Sequence, residues 1–249
     1  MITIGVSTAQ SRYRKRNETD KASAMRISVV IPVLNEEKSI GPALTALQSL
    51  APDELIVIDG GSTDRSREIC ESLGLTVIST PPGRGRQMNH GARRATGDVL
   101  LFLHADTRLP LSAFDDVRSA FRNPACVGGR FDLKFDDRRW MLRVIGAMIS
   151  LRSRLTKVAT GDQAIFVRRE MFEKIGGYPE IPLMEDVAFS RAMKRVGKVA
   201  CLRSHVITSA RRWQTEGVWR TMLKMWILKS LYLLGVGPAR LTRYYGDAR

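Results

Sequence analysis

Four apolar residues in "LLFLHADT" (Leu100–Thr107) run directly into His104 and Asp106. Side chains two apart in an extended segment point the same way, so this imidazole and carboxylate can face a single divalent ion. A neutral imidazole is a poor partner for Mg2+ and a better one for Mn2+. The imidazole can instead steady Asp106 or a phosphate through a hydrogen bond. The plainest account is a strand that surfaces on polar residues. The turn Gly83-Arg84-Gly85-Arg86-Gln87 opens a helix, and its charge and free backbone N–H groups suit a diphosphate. Arg86, at the helix start, is the stronger candidate; Arg84 is equally well explained as a solvated turn residue. Glu185 and Asp186 also begin a helix, where the default role of an acidic pair is to cap the positive end. Asp64 fits the same structural role.

A scaffold must bring these distant segments together. "ISVVIPVL" (Ile27–Leu34) is a continuous apolar run rich in β-branched residues, as in a strand covered on both faces. Apolar residues at Ile40, Leu44, Leu47 and Leu50 then follow helical spacing. "ELIVID", "LTVIS" and "DVLLFL" read as further strands, separated by helices in "STDRSREICESLG" and "GRQMNHGARRA". Strands alternating with helices of this length predict βαβ units in an open, mostly parallel α/β sheet. Ligands of such sheets bind beyond the carboxyl ends of the strands. Those ends read Asn35-Glu36, Asp59-Gly60-Gly61-Ser62, Pro82-Gly83-Arg84-Gly85-Arg86 and His104-Ala105-Asp106. A single polar end is a capped turn; four at one sheet edge predict a ligand site.

Beyond residue 110 the alternation loosens. Helices are expected in "LSAFDDVRSAFRN", "RWMLRVIGAMISLRSRL", "REMFEKIGG" and "MEDVAFSRAMKRVG", and extended segments in "VGGRFDLKF", "QAIFVRR" and "KVACLRSHVITS". A last helix, "VWRTMLKMWILKSLYLLG", is apolar most of the way round, with Lys224 and Lys229 among its residues. It reads either as a helix packed on the domain or as an interfacial helix resting on anionic lipid, aided by Arg220, Arg240 and Arg243.

The 249 residues carry 40 Lys+Arg against 25 Asp+Glu, a net charge of +15. Two thirds of that excess sits in residues 1–25 and 200–249, which suggests a polyanionic partner. Few aromatics interleave the basic residues and no nucleic-acid motif appears, so nucleic acid is not expected. Cys70, Cys126 and Cys201 are far apart and odd in number; small buried hydrophobes in a reducing cytoplasm account for them. Residues 1–24 read as a flexible extension and not as a signal peptide, because their short apolar start precedes the basic cluster. No run approaches the ~18 apolar residues of a membrane span. Neither G-x-G-x-x-G after the first strand nor G-x-x-x-x-G-K-[ST] occurs, which disfavours dinucleotide and P-loop chemistry.

"VVIPVLNEE", "VIDGGSTDRS", "GDVLLFLHADT" and "MEDVAFSRAMKRVG", in this order and spacing, resemble the family 2 glycosyltransferases. The likeness runs from about Ile27 to Trp213. "GRGRQMNHGA", "FLHADT", "TGDQAIFVRR" and "SARRW" further resemble glycosyltransferases associated with arsenosugar biosynthesis or with radical-SAM enzymes. The resemblance implies the GT-A fold and an inverting, metal-dependent transfer of one sugar from a nucleotide sugar, most simply a UDP-sugar. The acceptor is a small metabolite or lipid, and the cation Mn2+ or Mg2+. It implies a nucleotide-sugar half at residues 25–110 and an acceptor half at 111–213; the C-terminal helix at 214–249 keeps both readings given above, packed on the domain or resting on a membrane surface. The expected location is the cytoplasm, either free or peripherally on the inner face of the membrane.

By the same resemblance Pro32, Asn35, Glu36 and Asp59 hold the nucleoside. Relatives often have two acids where this chain has Asp59-Gly60. Arg86 and Gln87 serve the diphosphate. Asp106 takes the ligand position of the family's Asp-x-Asp motif, with His104 in place of its first acid, as ligand or as support. Asp186 becomes the base, Glu185 its neighbour in acceptor binding, and Asp162 and Gln163 acceptor-side residues. Arg212 and Trp213 close over the donor; Ser209 stands where processive relatives have Gln, which favours single transfer. A sugar-phosphate nucleotidyltransferase shares the strand-end logic, but needs a Gly-rich basic loop where this chain has "PVLNEE". A basic nucleic-acid-binding protein is the weaker alternative.

Overall fold

The computed structural model describes residues 25–245. The extension expected at residues 1–24 lies outside them. The first four strands are β1 (Ile27–Val33), β2 (Glu54–Asp59), β3 (Val77–Ser79) and β4 (Val99–Phe102). They pair in parallel in the order β3-β2-β1-β4. All seven residues of β1 are buried because β1 has a strand on each edge and helices over each face. Val29 and Ile31 join the cluster under α1 (Ile40–Gln48), with Ile40, Leu44 and Leu47. Val30, one residue out of phase, joins Met88 and Ala92 of α3 (Arg84–Arg94) on the opposite face. Each such side chain contributes about 1.5–3 kcal/mol when fully buried. Helix α3 sits unusually close to β1: a Cβ on Gly91 would lie 2.3 Å from Val30 Cγ1. Helix α2 (Ser66–Ser72) links β2 to β3.

The same sheet continues past β4 with mixed direction. β7 (Ile165–Arg168) runs antiparallel to β4 and to β6 (Cys126–Phe135). β8 (Lys198–Thr208) runs parallel to β6, and the two-residue β5 (Thr107–Arg108) closes the edge antiparallel to β8. The sequence did not signal β5, which is too short to show a period. It matters because it carries the chain from the end of β4, across the sheet edge, to the far strand. The architecture is therefore α/β as expected, parallel in the first four strands and mixed beyond.

Helices α4 (Ala113–Ala120), α5 (Trp140–Thr156), α6 (Arg169–Ile175) and α7 (Glu185–Val196) follow the expected segments. The single helix expected at the C-terminus is instead three: α8 (Arg211–Thr215), α9 (Val218–Leu233) and α10 (Pro238–Tyr245). Gly217 at φ +82° and Gly235 at φ +91° supply the left-handed breaks that separate them. α9 is seated on the domain: Leu228 packs with Leu183, Met184 and Val187 at the start of α7. No described helix is long and apolar enough to cross a membrane.

Candidate functional site

Pro32, Glu36, Arg84, Gln87, His104 and Asp106 line one cleft at the carboxyl ends of β1 and β4 and the start of α3. The loops beside it are knitted by predicted residues. Asn35, in the left-handed region at φ 54°, accepts the Thr63 N–H at 2.9 Å through Oδ1. Asp59 accepts the backbone N–H groups of Gly61 and Ser62 at 3.0 and 3.1 Å, together with the Ser62 hydroxyl. Asp64 accepts the N–H groups of Ser66 and Glu37, each at 3.0 Å, at the head of α2. Asn35 and Asp59 thus spend their carbonyl and carboxylate oxygens on shaping the walls.

Two acids, Glu36 and Asp106, share the cleft with Arg84 and with Arg211 beside it. Burial foremost, and then the neighbouring Glu36, push the Asp106 carboxyl above its ordinary range; Arg211 and Arg84 offset part of this. Arg211 Nη2 donates to Glu36 at 3.0 Å. Arg211 is a site residue the sequence reading missed. Its motif pointed one position further, to Arg212 and Trp213, and only the backbone of α8 decides which arginine faces inward. Trp213 instead packs edge-on against Phe135, ring centroids 5.4 Å apart. Arg212 lies beside it on α8.

The basic turn divides similarly. Arg84 lines the cleft and stands 3.7 Å from Glu185, whereas Arg86 pairs with Glu180 at 3.0 Å on the half-exposed surface. The structure therefore brings Arg84, not Arg86, to the other site residues. Gln87 reaches the cleft floor, with its amide nitrogen donating to Val33 O at 2.8 Å and Ile58 O at 2.9 Å. It ties β1 to β2 from beneath.

Glu185 and Asp186 occupy the first turn of α7, behind Met184 at φ 69°. This strained left-handed residue turns the helix start into the site. Asp186 Oδ2 accepts the Gly161 N–H at 2.7 Å. Gly161 is also pressed on His104: an added Cβ would fall 2.5 Å from His104 Nε2. The peptide at Gly161 therefore bridges His104, at the end of β4, to Asp186. Gln163 is fully buried and donates to Phe131 O at 3.3 Å and Ser153 Oγ at 3.0 Å, so it builds the turn. Burial pushes the Asp162 carboxyl up, against the lowering effect of the Thr160 hydroxyl, and Asp186 adds to the rise.

No group of three or more His, Cys, Asp or Glu side chains converges to hold an ion among the described residues. The donor set at Asp106 still fits a divalent cation of the Mg2+ or Mn2+ type. These ions need only one or two carboxylates when phosphate oxygens complete the shell, and a cation would relieve the Asp106 carboxyl that burial and Glu36 hold above its ordinary range. A larger cavity, of about 800 Å3, lies between α5 and the ends of β6 and β8, lined by Arg108, Lys134, Arg143 and His205 among others. None of the predicted site residues lines it, so size does not locate the chemistry here.

Comparison with known proteins agrees with this geometry. Residues 28–176, more than half of the chain, match the model of glycosyl transferase family 2. A glucosyl-3-phosphoglycerate synthase from Mycolicibacterium smegmatis is 34% identical over 92 residues, 32% of this chain and 30% of that protein. A PGL/p-HBAD biosynthesis glycosyltransferase from Mycobacterium tuberculosis is 33% identical over 169 residues, 63% of this chain and 64% of that protein. The chain thus spans less than two thirds of the length of these relatives. Among solved structures, glucosyl-3-phosphoglycerate synthase from M. tuberculosis with Mg2+ and UDP superposes with a TM-score of 0.60 at 20% identity, over 89% of this chain and 84% of that one. A mannosyltransferase from Pyrobaculum calidifontis with GDP-mannose and Mn2+ gives 0.64 at 17% identity, over 93% and 75%. Fold, strand-end cleft and sequence model concur, and the chain belongs to glycosyl transferase family 2.

Proposed function

We propose that the protein transfers one sugar, with inversion, from a UDP-sugar to an acceptor hydroxyl with the aid of Mn2+ or Mg2+. What carries this reading is the Gly161 bridge, which sets a cleft of donor type beside an acid at a helix start. The donor lies in the cleft, its nucleoside between the loops of Asn35 and Asp59 and its diphosphate against Arg84, with Arg211 closing from α8. Asp106 would hold the divalent cation, which when bound would supply charge neutralisation for the departing diphosphate. His104, packed on Gly161, steadies the chain beside Asp106. Asp186 takes the proton of the acceptor hydroxyl; the freed oxygen bonds to the anomeric carbon as the bond to the diphosphate breaks. One displacement by one base inverts that carbon. Glu185 lies between Arg84 and the base, so it orients both. Relatives whose names and bound molecules are glycosyl transfer partners support this reading, among them the synthase solved with UDP-glucose and Mn2+.

Thermal shift separates this reading from its rivals. UDP-sugars with Mn2+ should raise the melting temperature, and nucleic acid should not. A strongly salt-dependent response to nucleic acid, with none to any nucleotide sugar, overturns it.

The partner surface belongs to the same proposal: the protein works in the cytoplasm against an anionic membrane face, where a lipid acceptor is presented. Trp140, Val144, Met148, Leu151 and Leu155 are exposed on one side of α5, and Trp219, Leu223, Trp226 and Ile227 on α9. Leu142 and Ile145 pack with Val218, so the two helices meet. Two exposed apolar stripes rich in tryptophan on a chain of +15 suit anionic lipid. The protein should sediment with phosphatidylglycerol vesicles and not with phosphatidylcholine, and Trp219→Ser with Trp226→Ser should release it. Equal behaviour with both vesicles sinks the membrane role.

A further inference from the structure

Lys229 stood out in the sequence as a charge inside an apolar helix, and no role above uses it. Its helix is fixed beside the base, because Leu228, the preceding residue, packs with Met184 and Val187 on either side of Glu185-Asp186. Arg152 of α5 approaches the same place from another direction. Its neighbour Ser153 accepts the Gln163 side chain at 3.0 Å, which sets this part of α5 against the turn of residues 161–163. Lys229 feels the charge of Arg152, Arg152 feels that of Arg130, and both feel Asp162 and Asp186. Neither cationic side chain makes a hydrogen bond or a direct ion pair among the described residues. On the acid side, Asp162 Oδ1 is buried and has no hydrogen-bond partner.

Burying like charges together is costly. Burial, with Arg152 adding to it, brings the Lys229 ammonium down to about 8, although Asp186 and Asp162 pull the other way. Burial likewise lowers Arg152 against the same two acids. The fold thus keeps two cations and one acceptor oxygen with unused hydrogen-bonding capacity next to the proposed base. An anion with two hydroxyls satisfies all three: its oxygens meet Arg152 and Lys229, and one O–H donates to Asp162, which leaves the other for the base.

We propose that Arg152, Lys229 and Asp162 form an acceptor subsite for a hydroxylated anion, a phosphate ester or carboxylic acid held by one hydroxyl on Asp162 so that a second hydroxyl is brought to Asp186. The subsite rests on the glycosyl-transfer reading and narrows its acceptor to an anionic class. It also gives the C-terminal helices a part in the site, since α9 supplies one of its two cations.

Calorimetric titration of inorganic phosphate into protein saturated with UDP and Mg2+ tests the subsite, because UDP already fills the diphosphate position. Lys229→Met and Arg152→Gln should each weaken phosphate binding by about tenfold or more, while UDP affinity stays within about twofold and reports intact folding. Glycerol 3-phosphate, which adds hydroxyls, should bind more tightly than phosphate, and Asp162→Ala should remove that advantage. Arg143→Gln, in the larger cavity, should change nothing. Undiminished phosphate binding in both cation variants, or its loss in Arg143→Gln, overturns the subsite. Absence of UDP binding to the parent protein overturns the donor reading instead, and is seen before phosphate is added.

Discussion

Asp186→Asn should stop sugar transfer, with kcat lower by about 10²–10⁴-fold, while UDP-sugar affinity changes little. The substitution keeps shape and removes basicity. Its amide oxygen can still accept the Gly161 N–H that Asp186 Oδ2 accepts at 2.7 Å, so the bridge to His104 persists. What is lost is the ability to receive a proton when the acceptor oxygen attacks. The donor contacts proposed above lie across the bridge, in the cleft, and should be untouched. Initial rates with a UDP-sugar, read beside thermal shift with UDP, separate the two effects. Turnover near that of the parent would move the base elsewhere, and Glu185 would be the next residue to examine. A matching loss of donor affinity would show that Asp186 holds the cleft together and does not take the proton.

The second large effect is expected at Asp106, with opposite signs for function and stability. Asp106→Asn should weaken UDP binding in Mn2+ by about 10–100-fold, to the level seen in EDTA. In metal-free buffer the same variant should melt at a higher temperature than the parent at neutral pH. The sign follows from the raised carboxyl of Asp106. A folded acid that holds its proton more tightly than the unfolded chain costs stability once pH rises above the ordinary carboxylate range. Asparagine carries no such cost. The advantage should therefore vanish as pH falls below that range, and Mn2+ with UDP should reverse it by stabilising only the parent. A variant that is less stable in EDTA, or that keeps its metal-dependent UDP affinity, contradicts the assignment. His104→Asp completes the series. With His104 as a positioning group, the Mn2+ to Mg2+ activity ratio should stay within about twofold; a marked shift towards Mg2+ would make position 104 a ligand.

The legible part of this site is the part built on strand ends. A buried parallel strand announces itself as an apolar run, and its carboxyl end is where the run stops, so Glu36, His104 and Asp106 were placed by counting alone. Residues presented by helix termini and turns were less readable. Arg84 and Arg86 differ by two positions, roughly 200° around a helix, and sequence does not say where the first turn begins. The choice between Arg211 and Arg212 fails for the same reason. Gln87 looked like a ligand-binding amide because its carbonyl partners, on Val33 and Ile58, belong to strands 29 or more residues away. Arg152 and Lys229 are the extreme case: 77 positions apart, they come under the same two acids, Asp162 and Asp186, only through the tertiary fold. The short β5 and the breaks at Gly217 and Gly235 likewise depend on contacts that no local pattern encodes.

The pairing of β5 with β8 bears on how this protein can change. Between the last residue of β4, Phe102, and the first of β5, Thr107, the chain must cross the sheet edge and present Asp106 on the way. Both anchors are hydrogen-bonded in fixed register, Phe102 opposite Ile165 and Thr107 opposite Thr208. One inserted residue would either slip β5, turning Thr107 and Arg108 to opposite faces, or bulge at Asp106 itself. On the proposed donor role of this cleft, diversification of donor choice is therefore open to side-chain exchange in this segment and closed to changes of length. Libraries aimed at new sugars should vary residues 103–106 in place and leave insertions to the surface loops.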